Sequence, residues 1–326
     1  MAPPLHLVIP SLVGAATITW ATWHITRFLT FHFWLPAHPL DAYKSKSPSA
    51  PNWAFVTGSS AGIGYAYAAE LMHLGFDVII HSHVAPELEA SAAELRRLRP
   101  GAQVRTLHYD AVTFTAAELA ERVEAVTAGL PVAILINNVG SIPISGDPFK
   151  EFSAYDGEDI DRCIALNASF MTHMTHMTRL MLPTLSRSSR SLTLNVTSAA
   201  RVGMPWLSLY SATKAYNAGF STSVCRELRA AGRTDVDCLL LAVDGDVVSQ
   251  GNRLGLAPEG SILAKDYARM ALERVDSAVR RGMVQLNPYW KHELLFAIMP
   301  WVPESAVQAA VTEQITQKKE GFYKLQ

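Results

Sequence analysis

Apolar runs of four to eight residues alternate with longer amphipathic stretches along most of this chain. Trp53–Val56, Phe76–His81, Val104–Tyr109, Val132–Ile136, Ser191–Val196 and Val236–Val243 carry few polar breaks and predict strands buried on both faces. Between them Pro86–Leu98, Ala116–Ala128, Asp159–Leu185 and Tyr210–Ala231 predict helices, the last stopped by Gly232. A further helix is expected over Lys265–Arg280. Strand and helix in strict alternation predict an α/β fold with one doubly wound parallel sheet, whose ligands bind at the C-terminal ends of the strands.

The two ends of the chain read differently. Leu7–Trp23 is an apolar run without charge, slightly short of the ~20 residues of a spanning helix, and His24–Leu35 adds aromatics suited to a membrane interface. With Arg27, Lys44 and Lys46 after the run, and no Lys or Arg before it, the reading is a retained transmembrane anchor with the remaining chain in the cytosol. A cleaved signal peptide fits less well, because a basic leading segment is missing. The expected divisions are an anchor over 1–35, a Pro-rich linker over 36–51, the α/β domain over 52–285 and a C-terminal extension over 286–326. Pro288–Pro303, rich in Trp and large apolar residues, reads as a core or subunit-packing segment, or as the wall of a lipid-facing tunnel.

Composition narrows the classes. The 326 residues are 49% apolar with a net charge of -1, which supplies a sizeable core and gives no electrostatic case for nucleic acid. Three cysteines, Cys163, Cys225 and Cys238, without a CxxC pair, read as buried thiols. The sequons at Asn167 and Asn195 fall inside the expected core and read as unglycosylated. His173 and His176 stand three apart in a short MTH repeat, and they read as helix-face residues and not as a metal pair.

Two motifs carry chemistry. Tyr210 and Lys214 are four apart on a helix, so they share a face, and the ammonium is expected to draw the phenol's pKa down from about 10. A phenol so placed can exchange a proton with a carbonyl oxygen, and Ser198, at the end of a strand just upstream, can hold that oxygen. The second motif is TGSSAGIG, from Thr57 to Gly64, between an apolar strand and a helix. Gly58, Gly62 and Gly64 let the backbone approach a pyrophosphate at the helix N-terminus.

TGSSAGIG, NNVG at Asn137–Gly140, Ser198, Tyr210 and Lys214, in this order, resemble the short-chain dehydrogenase/reductase family over roughly 52–276. NNVG followed by IPISGDPFKEF, then MTRLMLPTL, YSATKAYNAGFS and DYARMALERV, resemble its membrane-bound branch of very-long-chain 3-oxoacyl-CoA reductases and 17β-hydroxysteroid dehydrogenases. The resemblance implies a Rossmann domain and a catalytic tetrad of Asn167, Ser198, Tyr210 and Lys214. In it Lys214 also grips the nicotinamide ribose, and Asn167 holds a proton-relay water in a helix kink. The helix after Asn167 looks about one turn longer than in that branch.

It further implies a dinucleotide held by Thr57, Gly58, Ser60, Gly62, Ile63, Gly64, Ser82, His83, Asp110, Asn138, Gly140, Tyr210, Lys214, Val247 and Ser249. Asp110 matches the residue beside the adenine, though it also reads as a simple strand-to-helix cap. The second strand ends in Ser82 and His83 with no acid at its tip, which favours NADP (NADPH) over NAD. Asp244 stands where the family has proline ahead of Gly245, Val247 and Ser249.

The expected function is NADPH-dependent reduction of a ketone on a hydrophobic substrate. A very-long-chain 3-oxoacyl-CoA leads, with the enzyme at the endoplasmic reticulum, facing the cytosol, in fatty acid biosynthesis. Arg201, Arg253 and Lys265 are candidates for the acyl-CoA contacts, and Gln250–Ser261 for a lid. A steroid or specialised lipid or polyketide ketone is the alternative, and a nonenzymatic nucleotide-binding membrane scaffold the remote one. The family often pairs through the helices of Asn167 and Tyr210, which predicts a homodimer.

Overall fold

The structure, a computed structural model, describes residues 5–34, 40–47, 50–143, 146–176, 190–244, 247–248 and 261–324. It falls into two compact units, Met1–Ala37 and His38–Gln326.

The first unit is one helix, α1 (Leu5–Leu29), and a π turn over Thr30–Trp34. Thr17 and Thr19 turn their hydroxyls back onto the carbonyls of Val13 and Ala15 at 2.9 and 2.8 Å, which satisfies polar groups within an apolar helix. Among the described residues no helix is long and apolar enough to cross a membrane. The described helix therefore lends no support to the spanning anchor expected over Leu7–Trp23, a run that Thr17, Thr19 and Thr22 interrupt. Large apolar side chains still face outward, with Leu12 and Trp23 each 64% exposed and Ile18 68%.

The second unit is built on β1 (Trp53–Val56), β2 (Asp77–Ser82), β3 (Val104–His108), β4 (Val132–Asn137), β5 (Ser191–Ser198), β6 (Val236–Val243) and β9 (Gln285–Leu286). They form one parallel seven-stranded sheet in the order β3-β2-β1-β4-β5-β6-β9. The chain winds outward from β1 to β3, then returns to β4 and winds the other way, so the crevice opens between β1 and β4. Every residue of β1, β2 and β4 is buried, as strands covered by helices on both faces require.

Helices α2 (Gly62–His73), α3 (Ala85–Leu98), α4 (Ala116–Thr127), α6 (Ser208–Ala230) and α7 (Ala264–Arg280) supply the layers. Between α4 and α6, α5 (Gly157–Ile164) runs into a π turn at Ala165–Ser169 and stays helical to residue 176. The rest of the expected Asp159–Leu185 helix lies outside the described residues. One core cluster joins Trp53, Phe55, Ile79, Leu119, Leu135 and Phe170, each burial contributing roughly 1.5–3 kcal/mol. Gly232 ends α6 at φ 69°, where the Arg233 N–H reaches the Leu228 carbonyl at 2.9 Å, the left-handed cap expected there. A short pair, β7 (Val247–Val248) and β8 (Ile262–Leu263), stands beside the main sheet.

Most of the stretch read as a linker, from His38 on, falls within this unit. Leu40 and Tyr43 are fully buried, and the Tyr43 hydroxyl donates to Asp237 Oδ2 at 2.8 Å. Arg190 holds the same carboxylate, through Nη2 to Oδ1 at 3.0 Å and Nε to Oδ2 at 2.5 Å. After β9, α8 (Trp290–Ile298), a 3-10 turn and α9 (Glu304–Lys324) end the chain. Pro288–Pro303 is not a core segment: His292 is buried, but Leu295, Ile298 and Trp301 are 46%, 49% and 78% exposed. The three cysteines are buried and free, and Asn167 and Asn195 are wholly enclosed.

Candidate active site

The glycine turn is fixed from three sides. Gly58 sits at φ 62° and Gly62 at φ 60°, a region open to glycine at little cost. On the β4 side, Asn138 Nδ2 donates to the Gly58 carbonyl at 3.0 Å, while Thr57 Oγ1 accepts the Asn138 N–H at 3.0 Å. A Cβ on Gly64 would run into the Gly58 carbonyl and Asn138, so this glycine serves the packing of helix on turn. On the β2 side, the Ser60 hydroxyl donates to Ser82 Oγ at 2.9 Å, and Ser91 on α3 donates to the Ser60 carbonyl at 2.7 Å.

The third tie is His81, which the sequence reading passed over. The Gly58 N–H donates to His81 Nδ1 at 3.1 Å, and Nε2 lies 3.1 Å from the Tyr109 carbonyl. The first contact needs a bare Nδ1, so Nε2 carries the proton and donates to Tyr109. Burial pushes this imidazole down to about 4, and it stacks on Phe170 with centroids 5.3 Å apart. The only signal in the sequence is a histidine inside the apolar strand DVIIHS.

The residues around this turn fit a dinucleotide. Ala61 caps α2 without any side-chain hydrogen bond, so no side chain takes the helix N-terminal charge that suits a phosphate. Ile63 is partly buried in the first turn, and His83 is exposed at the end of β2. Asp110 accepts the Val112 N–H at 2.8 Å and the Thr113 hydroxyl at 3.3 Å, which makes it a local turn cap whatever else it holds. Val247 is buried in β7, near the start of the expected nicotinamide loop. Ser249, Gly245, Arg253 and nearly all of Gln250–Ser261 lie outside the described residues.

Ser198, Tyr210 and Lys214 meet at the C-terminal end of β5. Ser198 caps a 3-10 turn, Ala199–Val202, by accepting the Ala200 N–H at 3.1 Å, and its hydroxyl also hydrogen-bonds the Tyr210 phenol. Lys214 Nζ lies 5.6 Å from the Tyr210 ring centroid, and Thr197 Oγ1 ties the Lys214 carbonyl to β5 at 2.7 Å.

The electrostatics differ from the expectation. Burial pushes Tyr210 above its ordinary value, and the Ser198 hydroxyl draws it partly back. Lys214 does not offset that rise: it is itself buried and pushed down to about 8, so it loses its charge before so raised a phenol ionises, while at neutral pH it is still an ammonium. No carboxylate stands beside Lys214 among the described residues, which leaves its N–H donors for ligand hydroxyls.

Gly140 and Asn167 complete the group. A Cβ on Gly140 would strike Lys214 Nζ and lie 3.3 Å from Asn167 Oδ1. Asn167 sits in the π turn, the kink implied for it, with Nδ2 on the Ser141 carbonyl at 2.8 Å and Oδ1 on the Ser141 N–H at 3.1 Å. Its side chain thus anchors the loop after β4. Asn137 binds Asn195 and Thr175 at 2.7 and 3.0 Å, which bolts β4 to β5 and α5. His173 packs edge-on against Phe114 at 5.3 Å, a core contact.

A glycine turn at the switch point and a Ser–Tyr–Lys group across the crevice define a nicotinamide-dinucleotide-dependent oxidoreductase acting on alcohol or ketone groups. The chain matches the short chain dehydrogenase family over residues 52–243 and belongs to it. It is 29% identical over 309 residues to a very-long-chain 3-oxoacyl-CoA reductase of Mycosarcoma maydis, covering 94% of this chain and 82% of that one. It is 35% identical over 189 residues, 57% of each chain, to the human 17-beta-hydroxysteroid dehydrogenase type 3. Among solved structures it is similar to a short chain dehydrogenase of Escherichia coli CFT073 complexed with NADPH. That likeness has a TM-score of 0.63 and 19% identity, covering 73% of this chain and 97% of the other.

Proposed function

We propose that this protein reduces the 3-keto group of a long-chain 3-oxoacyl-CoA with NADPH as donor. The observation that carries the reading is the Ser198–Tyr210–Lys214 group at the end of β5. Likeness to 3-oxoacyl-CoA reductases over nearly the whole chain supports the substrate class. NADPH is favoured by Ser82 and His83 at the tip of β2, where an acid would suit NAD. When bound, the reduced nicotinamide supplies the hydride.

The Ser198 hydroxyl donates to the ketone oxygen and sets it against Tyr210. The Tyr210 O–H gives its proton to that oxygen as negative charge develops there. A phenol held above its ordinary value stays protonated at neutral pH, the state a general acid needs. The Lys214 ammonium stabilises the phenolate left behind and offers its remaining donors to the ribose hydroxyls.

Membrane association through the apolar surface of α1, placement at the endoplasmic reticulum with the larger unit in the cytosol, and a homodimer paired through α5 and α6 belong to the same proposal. A groove lined by Ile164, Ala168, Thr172, Ala212 and Tyr216 supports that pairing face. A second reading, a steroid or specialised ketone as substrate, is favoured by the 35% identity to the human hydroxysteroid dehydrogenase and by Asp244 in place of proline.

The test is NADPH oxidation by the full chain in detergent with 3-oxohexadecanoyl-CoA. Turnover that drops about 10²–10⁴-fold in Tyr210→Phe is expected. No turnover by protein that binds NADPH moves the substrate to the second reading, and undiminished turnover in Tyr210→Phe removes the mechanism.

A further inference from the structure

Arg201 stands one 3-10 turn beyond Ser198. Its guanidinium carbon lies 4.9 Å from the centroid of the Phe296 ring on α8. Among the described residues it has no ion pair and no hydrogen bond, and it is partly buried. Burial lowers its pKa, and no neighbouring carboxylate offsets the shift. Two other partly buried arginines are paired: Arg99 with Asp77 and Arg190 with Asp237. The five N–H donors of Arg201 thus meet no acceptor within the described protein, and stacking on an aromatic face holds such a group in place without using its donors.

Its location limits what the acceptor can be. Strands β5, β6 and β9 are parallel neighbours, so Ser198 at the end of β5 and α8, which follows β9, lie at the same edge of the sheet. The glycine turn follows β1, and β4 lies between β1 and β5, a separation of about 10 Å at the usual strand spacing. Arg201 is therefore on the substrate side of the site and away from the dinucleotide phosphates. The helix beside it exposes Leu294, Leu295 and Ile298, and Trp301 follows. A cation at the root of an exposed apolar strip matches an amphiphile with an anionic head, and a neutral ketone would leave the guanidinium unpaired.

We propose that Arg201, stacked on Phe296, is an anion subsite that takes a phosphate group of a coenzyme A thioester substrate. The proposal rests on the acyl-CoA reading above and deepens it: Arg201 is where this chain separates an acyl-CoA from a neutral ketone. Arginine suits the role because its planar fork binds phosphate through two N–H groups at once.

The test compares the full-length wild type with Arg201→Leu and Arg201→Lys on two substrates of equal acyl length. One is 3-oxohexadecanoyl-CoA, the other its neutral N-acetylcysteamine thioester. In Arg201→Leu the ratio of kcat/KM between the CoA ester and the neutral thioester should fall at least tenfold, through KM, with Arg201→Lys in between. An unchanged ratio overturns the subsite. Calorimetric titration of coenzyme A alone into the NADP-loaded protein separates this failure from failure of the parent reading. If wild type turns over neither thioester yet binds coenzyme A tenfold more tightly than Arg201→Leu, the subsite stands and the reductase reading falls. If turnover is robust while both proteins bind coenzyme A equally, the reductase reading stands and the subsite falls. A melting temperature within a few degrees of wild type in Arg201→Lys guards against a folding defect.

Discussion

Lys214 holds a charge where burial opposes it. Its pKa falls from 10.5 to about 8, so at pH 7 the folded protein carries a buried ammonium that the unfolded chain would leave in water. Between about pH 8 and 10.5 the unfolded chain binds the extra proton, so stability rises with pH through that window. The shift corresponds to a cost of up to about 3 kcal/mol below pH 8. Lys214→Met should therefore unfold at higher urea concentration than wild type at pH 7, while its turnover collapses. The wild type should gain stability between pH 8 and 10.5 and the variant should not; parallel pH curves would refute the assignment. His81 shows the same sign at acid pH. It is 6.5 in the unfolded chain and about 4 when folded, so its contribution is complete above pH 6.5 and is lost as pH falls toward 4. Facing groups His83, His108 and Asp110 adjust the midpoint but not the sign. His81→Phe should flatten the wild-type slope by up to about 1.4 kcal/mol per pH unit in that window. Urea midpoints at pH 4.5, 5.5 and 6.5 decide it, since an equal slope in both proteins places the titration elsewhere.

At the scale of elements, the site is made where the loop after β4 is squeezed between α5 and α6. Gly140 is the point of closest approach, with Lys214 on one side and Asn167 on the other. Gly140→Ala should displace the ammonium while leaving the sheet intact, and displacements near 1 Å commonly cost about 10²-fold in rate. The expected outcome is a fall of that order in kcat with a wild-type circular dichroism spectrum; a kcat within twofold of wild type would show that Lys214 yields without consequence. The layers themselves could be read from the sequence, because the strands are apolar on both faces and short. Val236–Val243 and Trp53–Val56 were bounded to the residue, and the Gly232 stop was plain. That Ser198, Tyr210 and Lys214 come together was legible because their spacing is carried by one strand end and one helix. What escaped was set by contacts distant in sequence. His81 is a polar residue in an apolar strand until Gly58 and Tyr109 are brought to its two nitrogens. The stack of Arg201 on Phe296 needs α8 folded back over β5. The phenol's upward shift was missed because spacing reports a neighbouring charge and not the loss of water around both groups.

For the molecule as a whole, the decisive boundary is where the larger unit begins. The sequence of Pro36–Pro51 is polar and proline-rich, and it suggested a linker. The fold places Leu40 and Tyr43 among the fully buried side chains and binds the Tyr43 hydroxyl to Asp237. Burial and that carboxylate both push the phenol well above its ordinary value, so it remains a donor at any working pH. Asp237 is also held by Arg190 at the base of β5 and β6, so the segment closes the end of the sheet opposite the catalytic group. Removing two large buried side chains costs on the order of 3–5 kcal/mol or more, a large fraction of the stability of most domains. A chain starting at His38 should thus melt several degrees above one starting at Lys46. If the shorter chain folds at all, it should keep its KM for NADPH, because the glycine turn lies at the other end of β1. Equal melting temperatures for the two truncations would mean that Leu40 and Tyr43 contribute nothing, and the unit would then begin at Asn52, as the sequence pattern alone suggested.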